Sequence, residues 1–105
     1  MAKYLLEARY TSEGAKGLAH SGGSARRAAV SKMLESVGGK LEAFYFAFGD
    51  VDAYAIFDVP DSATAAAVAL AVDRGGAATT RTIALISPEE MDSATKKSVS
   101  YQPPS

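Results

Sequence analysis

The chain contains no cysteine and no tryptophan, and its single histidine is His20. The absence of thiols excludes disulfide frameworks, thiolate metal sites and cysteine nucleophiles together, and it fits a reducing compartment. A lone histidine supplies one local ligand, short of the set a transition metal takes. Neither a metal nor any other cofactor is expected. Charge is balanced as well: 11 Lys plus Arg against 12 Asp plus Glu leave a net charge of -1. Such a surface offers no basic stripe for a phosphate backbone, so nucleic acid is not an expected partner. Long apolar runs are also missing. Lys3, Glu7 and Arg9 interrupt the opening MAKYLLEARY, which argues against a signal peptide or a membrane span and points to the cytoplasm. The glycine-rich stretch before Ser24 has neither a GxxxxGKS/T nor a GxGxxG pattern, so it carries no phosphate-loop signature.

What is present is the composition of an ordinary globular domain, 48% hydrophobic and 22% charged over 105 residues, enough to bury a core without a metal or a disulfide. Tyr4, Leu6, Ala8 and Tyr10 alternate with Lys3, Glu7 and Arg9, a half-buried strand from Lys3 to Tyr10. TSEGAKGLAHSGGS is dense in glycine and serine and reads as a loop, with a short turn over Glu13 to Leu18. A helix follows from Ser24 as N-cap, with Val30, Met33, Leu34 and Val37 on one face and Gly38-Gly39 ending it.

Leu41 to Phe48 and Ala53 to Val59 read as two strands of a hairpin around Gly49. A loop of either two or four residues pairs Phe48 with an odd-numbered residue, so the faces are independent of the turn. Phe44, Phe46 and Phe48 then share one face with Ala53, Ala55, Phe57 and Val59, while Tyr45 shares the other with Tyr54, Ile56 and Asp58. Pro60 closes the hairpin and Asp61 caps a second helix whose face is Ala65, Val68, Ala69 and Val72. Thr79 to Ile86 is the last strand. The domain is expected over residues 1–91, with residues 92–105 an arm of low apolar content.

Strand, helix, strand, strand, helix, strand is the order of a ferredoxin-like α+β sandwich: a four-stranded antiparallel sheet with two helices on one face. The other face, carrying Leu5, Tyr45, Tyr54 and Ile56, is left bare. Two copies packed sheet to sheet would cover it as a dimeric α+β barrel with a cavity between chains.

The run FGDVDAYAIFDVPD, with YTSEG before it, a Gly-Gly pair after the first helix, and TTRTIALIS and SVSYQPP after it, resembles the GYD-domain family. The resemblance covers roughly residues 3 to 91 and implies the same dimeric α+β barrel rather than a particular reaction. Gly49, Asp52, Pro60 and Asp61 match the family's pattern, but its tyrosine position is Val51 here. No phenol is therefore available at this turn.

Several residues have a structural and a functional reading. Asp52 beside Gly49 is placed to bond backbone amides, or else to serve a ligand or a proton transfer; Asp50 reads as a turn residue. Glu7, Arg9 and Asp58 fall on the bare face, as an ion-pair network specifying a dimer or as groups holding a polar or anionic ligand. Tyr45 and Tyr54 line that same cavity or interface. Arg81 would face the helices if Ile83 and Leu85 do. His20 is either a solvated loop residue or a base over a cavity mouth. Arg26 and Arg27 open a helix against its dipole, solvated or meeting an acidic partner or an anion. The readings that follow are a small-molecule-binding or assembly module in a homo-oligomer, or a cofactor-independent enzyme of monooxygenase or isomerase type in the inter-subunit cavity. Glu7, Asp58 or His20 would be its base, and Tyr45 or Tyr54 its hydrogen-bond donor.

Overall fold

A computed structural model describes residues 1–105. Its elements are β1 (Ala2–Tyr10), α1 (Ser12–Ser21), α2 (Gly23–Glu35), β2 (Lys40–Phe46), β3 (Ala53–Val59), α3 (Ser62–Arg74), β4 (Ala78–Leu85) and α4 (Pro88–Thr95). The strands form one antiparallel sheet in the order β2-β3-β1-β4, the ferredoxin-like arrangement that the βαββαβ order demands.

Period-two alternation decides which face of the sheet is filled. Tyr4, Leu6 and Ala8 of β1 pack with Ala53, Ala55, Phe57 and Val59 of β3, and onto them fall Val30 and Leu34 of α2 and Ala65 and Val68 of α3. Tyr4 and Phe57 lie opposite each other in the register and stack with ring centroids 5.9 Å apart. So many alanines at the contact let α3 lie close on the sheet. Its start is fixed by Asp61, whose carboxylate accepts the Thr64 amide at 2.8 Å and the Thr64 hydroxyl at 2.6 Å. The hydroxyl bond, then the amide bond, holds that carboxyl below the usual range.

The hairpin parity holds although its loop is longer than two or four residues. Phe46 pairs with Ala53, leaving Ala47 to Asp52 as the connection, closed by the Ala47 amide on the Asp52 carbonyl at 2.8 Å. Phe48 therefore lies beyond the strand and is fully exposed instead of joining the core. Val37 likewise falls past the end of α2 and is exposed, and Ser24 sits inside α2, whose N-cap is Gly22 without a side-chain bond.

The expected count of two helices is corrected to four. Residues 12–21 are helical because Thr11 caps them: its hydroxyl accepts the Gly14 amide at 3.2 Å and donates to the Gly76 carbonyl at 2.8 Å. The Thr11 amide bonds the Ala77 carbonyl at 3.0 Å, tying α1 to the entry of β4. Gly14 makes this docking possible, since a Cβ there would stand 1.9 Å from the Ala77 oxygen. Further on, Ser87 and Glu90 form a capping box with Pro88 in the first turn, and α4 continues to Thr95 with no residue buried. Beyond Lys97 the chain is irregular and exposed. No helix is long and apolar enough to cross a membrane.

Candidate functional site

The uncovered face of the sheet is apolar in the middle and charged at both ends. Leu5 lies between Ile56 of β3 and Ile83 of β4, and Lys3 is paired with Leu85. Ile83 and Leu85 thus look away from the helices, and Arg81 goes with them. This resolves the open parity of β4, which no hairpin fixes in advance. No helix packs over this side.

At one end, Glu7 stands between Tyr54 of β3 and Arg81 of β4, and Tyr54 lies opposite Tyr45 of β2. The Glu7 side chain is 19% exposed, and its Oε1 is 3.6 Å from Arg81 Nε, while the rest of that guanidinium is open to solvent. Arg9, paired with Thr79 one step further along, makes no ion pair. Glu7, Arg9, Asp50, Tyr54, Thr79 and Arg81 surround an open pocket of about 560 Å³. Such a set can accept and donate hydrogen bonds and can neutralise an anion with its two guanidinium groups.

Asp58 is not part of this cluster. It lies about 13 Å further along β3 than Tyr54 at the rise of a strand, opposite Lys3 and Lys40. Lys3 Nζ bonds Asp58 Oδ2 at 3.1 Å and also Glu42. The Glu42 bond, then that to Asp58, raises the lysine above its ordinary value. The expected arginine between two carboxylates is thus replaced by two separate pairings, Glu7 with Arg81 and Asp58 with Lys3. Parity places residues on a face but says nothing of their height along it. His20 is in the last turn of α1, exposed on the helix side of the molecule, so it is neither a loop residue nor near the open-face pocket. Sequence reasoning missed the partnership of Arg81 with Glu7 and of Lys3 with Asp58; both become visible once the register is known.

Asp52 and Gly49 have structural positions. Asp52 Oδ2 accepts the Tyr10 amide at 2.8 Å, and the Asp52 amide donates to the Ala8 carbonyl at 2.9 Å. The carboxylate therefore fastens the β2–β3 loop to the end of β1, forty-two positions away in sequence. Gly49 takes a φ of +152°, a conformation that favours glycine. Asn at position 52 keeps an acceptor oxygen, so Asp52→Asn should cost well under about 1 kcal/mol while Asp52→Ala costs about 1–2 kcal/mol. Denaturant unfolding of both variants checks this. Equal losses in the two would mean that the charge itself is needed.

The element order and register define a ferredoxin-like α+β domain with an open sheet face. The chain belongs to the GYD-domain family, whose model matches residues 4–95. No curated protein and no solved structure matches it.

Proposed function

We propose that this chain is the subunit of a homo-oligomeric α+β barrel in which two open sheet faces meet and the space between them receives a polar small molecule. The carrying observation is the face itself. Leu5, Ile56, Ile83 and Leu85 form a contiguous apolar strip that no element of the chain covers, and a patch of this kind marks an association surface. The pocket of Glu7, Arg9, Tyr54 and Arg81 opens at the edge of that strip, where a second sheet would turn it into a chamber. An assembly role without ligand differs in one respect: the partner's side chains would then fill the chamber.

A second reading rests on the pairing of Glu7 with Tyr54 in adjacent strands. A largely shielded carboxylate beside a phenol is the pair needed to move a proton and to donate a hydrogen bond to a substrate oxygen, with no cofactor. On this reading Glu7→Gln abolishes turnover while leaving ligand affinity nearly unchanged; on the binding reading it changes affinity alone.

Sedimentation velocity at micromolar concentration tests the association. A species of at least twice 10.9 kDa is the expected result. A clean monomer throughout would remove the barrel, and with it the inter-sheet chamber.

A further inference from the structure

We propose a second binding site, on the opposite side of the sheet from the open face, that takes a small carboxylic acid with an apolar body. It lies between the sheet and the helices, inside one subunit, and it does not depend on the barrel.

The core is not completely filled. A cavity lined by 14 residues, 13 of them hydrophobic, lies among Tyr10, Val30, Met33, Phe44, Val72 and Ala78, and the remaining residue in its wall is Arg26. The Arg26 Nε is buried and has no hydrogen-bond partner. Leaving a charged donor unmade in an apolar wall is costly, and arginine has no neutral form to escape into. No carboxylate of the chain answers it: the ion pairs involve Lys3 and Arg81 only. Glu13 lines the groove outside and forms none with Arg26.

The same two residues, Tyr10 and Arg26, also line a surface groove between α1 and α2. Its walls are small: Gly14, Gly17, Ala25 and Ala29. Arg26 therefore stands at a neck, with solvent on one side and the apolar cavity on the other. A carboxylate arriving through the groove would accept Nε–H and a terminal N–H side by side, the bidentate pairing arginine favours. The rest of the ligand would point inward. The cavity has a volume of about 30 Å³, room for a small alkyl group and not for a ring. A short alkyl chain is the matching body, and the flexible Met33 can adjust to it.

Propionate and 1-propanol share the short alkyl body and differ in the charged head, so the full-length protein is titrated with each while methyl resonances are followed by NMR. Propionate should bind about tenfold tighter or more than the alcohol, a difference set by one charged hydrogen-bonded pair, and it should shift the methyls of Val30, Met33 and Val72. Arg26→Gln should remove that preference and leave the alcohol's affinity unchanged. Should Arg26→Gln fail to fold, Arg26→Lys keeps the charge without the Nε–H and should lose most of the preference. Arg81→Gln should leave propionate binding intact, which separates this site from the open-face pocket. Equal affinity for the two probes, no saturable binding of propionate at millimolar concentration, shifts confined to the open face, or undiminished propionate binding in a folded Arg26 variant would each overturn the proposal.

Discussion

In the proposed sheet-to-sheet barrel, Ile56→Asp should sediment as a folded monomer at micromolar concentration, where the unaltered protein is expected to associate. Ile56 lies at the middle of the open face, between Leu5 of β1 and Ala43 of β2, and it takes no part in the buried cluster beneath the helices. The substitution therefore leaves the subunit's own packing alone. In a sheet-to-sheet dimer a two-fold axis brings the new carboxylate into the apolar interface from both copies. Burying an unpaired charge costs several kcal/mol, so the association constant should fall by about a hundredfold or more, some 2.7 kcal/mol. Unchanged association would show that copies meet elsewhere, and a lost folding transition would show that Ile56 supports the subunit itself.

The largest loss of stability is expected at Gly14→Val. This glycine is buried in α1, and any Cβ would stand 1.9 Å from the Ala77 oxygen and 2.8 Å from its carbon. Both atoms are backbone, so no side chain can swing aside. The helix has to lift, and lifting it breaks the Thr11 amide bond to Ala77 and strains the hydroxyl bond to Gly76. Overpacking of about 1–3 kcal/mol plus about 1 kcal/mol for each broken bond gives on the order of 3 kcal/mol. For a domain of this size that lowers the melting midpoint by about 10–20 °C. A variant melting within a degree or two of the parent would mean that α1 docks in another way.

The alternation of Phe44 and Phe46 against Ala53, Ala55, Phe57 and Val59 made the buried face of the hairpin readable, because a loop of any even length preserves it. The chirality of the two crossovers then supplied the strand order. Asp61 announced α3 in the usual way. Helix α1 was not legible, since its residues look like a loop and the groups that hold Thr11 and Gly14 are the Gly76 and Ala77 carbonyls, more than sixty positions on. Helix α4 buries nothing, so no apolar repeat betrays it; only Ser87, Pro88 and Glu90 do.

For the candidate site, the same limit took a different form. Parity put Glu7, Arg9, Tyr45, Tyr54 and Asp58 on one face, but their heights depend on register, which carries Asp58 to Lys3 and brings Arg81 to Glu7. The register itself slips between Leu41 and Ala43, an irregularity that sequence alternation does not mark. The unpartnered Nε of Arg26 could not be seen at all, because burial of one atom depends on three elements meeting.

The strand order has a temporal side. β1 is the first strand a ribosome releases, yet it lies in the interior of the sheet, with β3 and β4 as its two neighbours. The first of its partner residues to emerge, Ala53, pairs with Ala8 and is forty-five positions behind it in synthesis, a delay of several seconds at about 5–20 residues per second. The local hairpin of β2 and β3 is free to close in the meantime. Tyr4, Leu6 and Ala8 must wait, and the sheet is complete only after β4 has emerged on the far side of β1. Translation thus begins this fold at its centre and finishes it at an edge, which makes the nascent chain before Leu85 the stage most exposed to wrong pairing.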